Sequence, residues 1–236
     1  MMSAKVDIAV IDYGMGNLRS VSKALEHVAP DAVVAVTADA DIIRDAARVV
    51  FPGVGAMAEC MHELQQRGLV EAVRAAAASK PFLGICLGMQ MLFEHSEEGD
   101  AAGLGILPGR VRRFADEAMY DNRNERLKVP HMGWNEVHQA APHALWRGIA
   151  DEARFYFVHS YYVEASNPAV VGGYSLYPFP FTCAVAADNI FAVQFHPEKS
   201  QAAGLALLAN FTVWDGKMAA RSDPIPQLEC SGFPTP

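Results

Sequence analysis

The segment Gly84-Ile85-Cys86-Leu87-Gly88 constrains this chain more than any other. It has the G-x-nucleophile-x-G form, in which a strand runs into a turn too sharp to admit side chains two positions either side of the central residue. Lys80 to Ile85 supplies the apolar strand, and Met89 to His95 reads as the helix that follows. Such a bend needs a buried sheet with helices packed against it, so an α/β fold is expected. The bend also aims the Cys86 sulfur at a helix N-terminus, where unpaired N–H groups favour negative charge, and it leaves the Leu87 N–H as an oxyanion donor. The competing role for Cys86 is that of a buried apolar residue, the usual state of a free cysteine.

The first half of the chain repeats a strand-helix rhythm that implies parallel strands. Val6 to Ile11 is a buried strand closed by Asp12-Tyr13-Gly14-Met15-Gly16-Asn17, and Asn17 is placed to cap a helix. In that helix Leu18, Val21, Leu25 and Val28 share one face, with Arg19, Lys23 and Glu26 on the other. Ala32 to Thr37 and Arg48 to Phe51 read as further buried strands around a short helix at Asp41 to Ala46. Ala56 to Arg67 and Leu69 to Ser79 are helical by propensity and are broken at Gly68.

After Gly99 the pattern changes to mostly antiparallel strands, at Arg110 to Phe114, Glu136 to His138, Phe155 to Val163, Val170 to Ser175 and Phe181 to Phe195. The last of these is a hairpin turning at Ala187-Asp188-Asn189, and Gln201 to Trp214 is a closing helix. Asp116 to Lys128 is polar and charged and reads as a solvated loop. The prolines after Arg221 exclude regular structure, so residues 1–215 are expected to form one domain and 216–236 a tail.

A thiol nucleophile needs a base, and His196-Pro197-Glu198 follows the apolar run Ile190 to Phe195 directly. Positions i and i+2 of extended chain share a face, so Glu198 can hold one nitrogen of His196 while the other faces Cys86. A histidine at a strand end can also serve only a local hydrogen bond. Phe51-Pro52-Gly53-Val54-Gly55 ends a strand at the same edge, where it is either an oxyanion-donating backbone or a plain Pro-Gly turn. Gly14-Met15-Gly16 lacks the third glycine of a dinucleotide loop, since position 19 is Arg, and no nucleotide or other cofactor is expected.

The bulk properties exclude several classes. A formal charge of −8 opposes nucleic-acid binding, and the four cysteines show neither a C-x-x-C pair nor metal-ligand spacing with the histidines. The N-terminus lacks the pattern of a signal peptide, and no eighteen apolar residues run together. A soluble enzyme of a reducing cytoplasm is expected, with no metal and no membrane contact.

Together, Gly84-Ile85-Cys86-Leu87-Gly88-Met89-Gln90 and His196-Pro197-Glu198 resemble the signature of the class I glutamine amidotransferases, and the resemblance covers about residues 6 to 215. Within that class Asp12 to Leu18, Pro130-His131-Met132-Gly133-Trp134-Asn135, Tyr156 to Tyr161 and His196 to Ser200 are similar to the glutaminase-subunit family of imidazole glycerol phosphate synthase. The resemblance implies a flavodoxin-like, mostly parallel sheet flanked by helices with an antiparallel extension in the C-terminal half. It implies hydrolysis of glutamine through a γ-glutamyl thioester, and ammonia passed to a (β/α)8-barrel cyclase subunit in a one-to-one heterodimer of histidine biosynthesis. Carried over by position, Cys86 is the nucleophile, His196 the acid and base, and Glu198 its orienting group. Leu87 and Val54 supply oxyanion N–H groups, while Gln90, Gly53 and Gly55 hold the substrate. The oxyanion strand is expected to need a partner-driven rearrangement, and Asn17, Arg19, Tyr156, His159 and Lys199 fall in blocks near the subunit interface. The charged stretch near Asp116 to Arg126 and the end after Trp214 depart from the family pattern. Two other readings stay open on sequence: a stand-alone cysteine hydrolase such as a peptidase or γ-glutamyl hydrolase, and a catalytically silent binding module.

Overall fold

In the computed structural model, residues 5–115, 119–120 and 124–218 are described. The N-terminal half alternates strands β1 (Ile8–Ile11), β2 (Val34–Thr37), β3 (Arg48–Gly53) and β4 (Phe82–Cys86) with helices α1 (Leu18–Val28), α2 (Ala40–Asp45), α3 (Met57–Gln66) and α4 (Val70–Ser79). A single turn, α5 (Leu87–Gln90), then gives way to β5 (Phe93–Ser96), β6 (Ala101–Ala102), β7 (Leu107–Arg113), β8 (His131–Gln139), β9 (Ala153–His159), β10 (Tyr161–Ala165), β11 (Val171–Leu176), β12 (Pro180–Ala187) and β13 (Ile190–Val193). Helix α6 (Gln201–Val213) closes the fold.

The sheet runs β2-β1-β3-β4-β13-β12-β10-β7-β5-β6, with β11 bridging β12 to β8 and β8 pairing with β9. Its first five strands are parallel, and from β12 onward pairing is mostly antiparallel. Side-chain alternation sorts β1 between two cores: Ala9 and Ile11 face α2, α3 and α4, whereas Ile8 and Val10 face α1 and α6. The strand order reverses between β1 and β3, and a crevice at the carboxyl ends of the parallel strands is where such sheets bind ligands.

Several elements differ from the sequence expectation. The helix read at Met89 to His95 stops at Gln90, because Phe93 enters the core and pairs its strand in parallel with β7. One helical turn carries little dipole, so the argument that a helix end favours negative charge on Cys86 loses most of its force. The run Phe155 to Val163 breaks at Ser160 into β9, which pairs with β8, and β10, which pairs with β7 and β12. β2 is an edge strand with Val36 42% exposed rather than a buried one. Asn17 occupies the N-cap position of α1, yet its side chain makes no capping hydrogen bond. Within Asp116 to Lys128, Met119 is fully buried and Tyr120 bridges Arg126, so this stretch is anchored rather than wholly solvated; residues 116–118 and 121–123 lie outside the described residues. Of the expected tail, positions 219–236 also lie outside them. No described helix is long and apolar enough to cross a membrane.

Candidate active site

Cys86 ends β4 with φ 55° and ψ −116°, a backbone conformation that a residue with a side chain adopts only when its surroundings enforce it. The enforcement is visible around the two glycines. A β-carbon on Gly88 would overlap the Phe51 carbonyl oxygen, and one on Gly84 would stand 2.9 Å from the Ala192 methyl and 3.2 Å from the Gly88 carbonyl oxygen. The elbow is thus wedged between β3 and β13, and only glycine permits that approach.

β13 is the parallel neighbour of β4, with Val193 level with Ile85. The chain leaving β13 therefore delivers His196 to the same carboxyl edge as Cys86. Residues 110 positions apart in sequence become neighbours because two parallel strands end together. His196 Nδ1 lies 2.9 Å from Glu198 Oε1, and both side chains are almost completely buried. The carboxylate accepts, so Nδ1 carries the proton. The opposite nitrogen, Nε2, is buried and closes no well-aligned hydrogen bond, although Cys86 is near enough to act on the charge of the imidazole. Burial by itself would lower the pKa of His196; the contacts with Cys86 and then Glu198 outweigh it and raise the value to about 10. Ser200 Oγ fixes the same histidine from behind by donating to its carbonyl at 2.6 Å.

These groups open into a cavity of about 500 Å³ lined by Cys86, Leu87, Gln90, Val54, Gly55, Glu98, His159, Ser160, Tyr161 and His196, with Asn17 and Lys199 also on its wall. Leu87 opens α5, where a backbone N–H has no acceptor within the helix. Gly53, expected to hold substrate, does not line the cavity: it is buried beneath the elbow, where a β-carbon would come 2.6 Å from Tyr13 Oη and 2.8 Å from Gly88 N. Of the residues assigned to an interface, Lys199 lies with Nζ 5.8 Å from the Tyr156 ring centroid, and Arg19 is exposed on α1. His159 is instead buried, hydrogen bonded to His131 and to the Tyr161 carbonyl.

Two residues that the sequence did not single out join the site. Gln194 is fully buried, donates toward Cys86 Sγ at 3.7 Å and accepts from Gln90 Nε2 at 2.8 Å. Its signal was a lone polar residue inside the apolar run Ile190 to Phe195, two positions before His196. Glu98 reaches the cavity from the turn after β5 while its Oε2 accepts the Met57 N–H at 2.8 Å, and burial raises its pKa. Nothing local marks it. Elsewhere, among the described residues, His138, Asp151 and Glu152 could hold a metal, but the two acids are exposed and Asp151 already accepts the Gln139 N–H.

The family model described as glutamine amidotransferase class-I matches residues 9–214. The chain is 68% identical to the imidazole glycerol phosphate synthase subunit HisH of Thiobacillus denitrificans, covering 92% of this chain and 96% of that one. It is 67% identical to the subunit of the same name from Nitrosospira multiformis, over 88% and 98%. Among solved structures, one described as a glutamine amidotransferase shares the fold at TM-score 0.64 and 18% identity, covering 87% of this chain and 99% of that one. PurLQS from Thermotoga maritima does so at TM-score 0.59 and 16% identity, over 88% and 97%. The chain belongs to the class-I glutamine amidotransferases, within the family of imidazole glycerol phosphate synthase HisH subunits.

Proposed function

We propose that this chain is the glutaminase subunit of an imidazole glycerol phosphate synthase, hydrolysing glutamine to glutamate and ammonia for a cyclase subunit that binds beside the cavity. The observation that carries the reading is the meeting of Cys86 and His196 at the ends of adjacent parallel strands, with Glu198 on the far nitrogen and a cavity in front whose wall carries Gln90 and Glu98.

In this reading Cys86 gives its thiol proton to His196 Nε2, and its sulfur attacks the side-chain carbonyl of glutamine. Charge on the carbonyl oxygen is met by the N–H groups of Leu87 and Val54, the latter after local rearrangement of the 52–55 backbone. The imidazolium of His196 gives its Nε2 proton to the leaving ammonia, and a γ-glutamyl thioester remains. His196 then takes a proton from water, the thioester is hydrolysed, and the thiol is restored. Glu198 keeps Nδ1 protonated throughout, so Nε2 is the nitrogen that exchanges. Glu98, the acidic side chain on the cavity wall, suits the α-ammonium of the substrate, while Gln90 and Gly55 border its amide end.

The cyclase would meet the edge that carries Asn17, Arg19, Tyr156 and Lys199, near the exposed Met132 and Trp134 of β8; Trp134 packs edge-on to Tyr156. Release of ammonia only when the acceptor is loaded requires coupling between the two subunits, which predicts weak hydrolysis by the isolated chain. Unpaired Cys60, Cys86 and Cys183 support a reducing cytoplasmic setting. Mixing the chain with the cyclase and its ribonucleotide ligand should give glutamate release that depends on both and disappears with Cys86→Ala. Strong hydrolysis by the chain alone would favour a stand-alone hydrolase, and an unreactive Cys86 would favour a silent module.

A further inference from the structure

Behind the cavity a chain of hydrogen bonds runs from the exposed end of β8 to the buried thiol, and its members before Gln90 have no part in the proposed reaction. Asn135 Nδ2 donates to the Leu176 carbonyl at 2.9 Å and reaches His131 Nε2 at 3.3 Å, while its Oδ1 accepts the Glu136 N–H. His131 Nδ1 is 2.9 Å from His159 Nε2, and His159 Nδ1 is 2.7 Å from the Tyr161 carbonyl. That carbonyl also accepts from Gln90 Nε2 at 3.3 Å, and Gln90 continues through Gln194 to Cys86 Sγ.

The directions are forced from both ends. A backbone carbonyl only accepts, so His159 must carry its proton on Nδ1, which leaves Nε2 an acceptor and requires a proton on His131 Nδ1. At the other end, the Leu176 and Glu136 contacts fix the Asn135 amide with Nδ2 toward His131, which makes His131 Nε2 an acceptor and again puts its proton on Nδ1. The two arguments use different groups and agree. Both imidazoles are therefore neutral Nδ1–H tautomers; protonating either would set two N–H groups against each other. Burial lowers both, His131 to about 4 and His159 to about 3, and the hydrogen bond to the Tyr161 carbonyl only partly offsets it at His159.

We infer that His131 and His159 are positioning residues for the glutaminase reaction: as a fixed pair of neutral donors they hold the Tyr161 carbonyl, and through it Gln90 and Gln194, in register with the Cys86 sulfur. The inference rests on the function proposed above. It gives β8, whose outer face carries Met132 and Trp134, a route to the thiol that consists of hydrogen bonds rather than of packing alone.

Packing and hydrogen bonding can be separated at His131, which stacks on Tyr177 at 4.0 Å and on Phe157 at 5.0 Å. His131→Phe keeps an aromatic ring there and removes the donor; His131→Asn keeps a donor near the Nδ1 position and removes the ring. The chain with its cyclase is treated with a glutamine-shaped electrophile and, separately, with iodoacetamide, and the rate of Cys86 modification is followed. A positioning role predicts that His131→Phe slows the glutamine-shaped reagent about tenfold, the size of one lost neutral hydrogen bond, and slows iodoacetamide less. His131→Asn should stay within about twofold of the parent. A His131→Phe variant that reacts like the parent, or two variants slowed equally, overturns the inference. If neither variant folds, imidazole ¹⁵N shifts of the parent complex decide: neutral Nδ1–H forms of both residues across the neutral pH range support it, and ordinary titration of either overturns it. A parent that does not react with the glutamine-shaped reagent refutes the proposed function instead, a separate and recognisable result.

Discussion

Replacing Glu198 with glutamine tests the proposed mechanism most directly. The Glu198 and His196 side chains are 1% and 3% exposed and 2.9 Å apart, so solvent cannot substitute for the lost charge. Removing one partner of a buried ion pair costs about 3–5 kcal/mol, because the other charge is left uncompensated. Part of that cost is avoided, since His196 can release its proton and become neutral. Taking about 3–4 kcal/mol as the loss to the step in which imidazolium protonates the leaving ammonia gives a fall in kcat of roughly 10²–10³. The glutamine amide can also donate to Nδ1, which would place the imidazole proton on Nε2 and leave no base facing the sulfur. Glu198 does not line the cavity, so KM should remain within about threefold. The assay is glutamate release by the saturated complex over a range of glutamine concentrations, with a thermal melt to confirm folding. A folded Glu198→Gln complex that keeps more than about a tenth of parental kcat, or loses activity through KM alone, would refute the orienting role. The raised pKa of His196 also has a stability consequence. Its folded value, about 10, lies above the ordinary 6.5, so the associated stability is complete below about 6.5 and lost as pH rises through about 10. In Glu198→Gln this alkaline loss should shrink.

Gly88→Ala should destabilise the fold by about 2–3 kcal/mol or more, since the added methyl meets the Phe51 backbone rather than a yielding side chain; an unchanged denaturant midpoint would contradict the wedged elbow. Glu98→Gln should raise KM for glutamine by about tenfold or more with little change in kcat, and a kcat-only effect would remove Glu98 from the α-ammonium role. His143, buried and lowered to about 4, contributes stability that is complete above about 6.5 and lost as pH falls from there through about 4, on the order of 3 kcal/mol. His143→Asn, which retains an acceptor for the Leu145 N–H, should flatten the acid limb of a stability-against-pH curve, and an unaltered slope would show that another group titrates there.

The elbow, the His-Pro-Glu run and the strand-helix rhythm could be read from the sequence because each rests on short-range sterics or periodicity. Glycine at 84 and 88 announces a bend that the backbone must make wherever it folds, and alternating apolar runs announce strands whatever their partners. The misreadings share a different cause. Phe93 continues a helical pattern for local reasons but is drawn into a strand by its pairing with β7. Ser160 interrupts a uniform apolar run because β9 and β10 serve different neighbours. His159 carries no mark distinguishing an interface histidine from a buried one until His131 arrives from another strand. Gly53 belongs to the oxyanion segment in sequence and to the packing beneath the elbow in space.

What the sequence determined by itself was therefore the chemistry available: a sulfur at a tight bend, an imidazole, and a carboxylate two residues beyond it. The structure brings that carboxylate to His196 through a short 3-10 turn at Pro197–Lys199 and not along the extended chain that the sequence suggested. Only the tertiary structure decided that sulfur and imidazole share an edge, since that depends on β13 returning from the antiparallel half to pair in parallel with β4. It also decided which neutral side chains, Gln194, His131 and His159, line up behind them. The reason is physical: sterics act over a few residues of chain, whereas hydrogen-bond direction and burial are set by groups that the chain brings together from far apart.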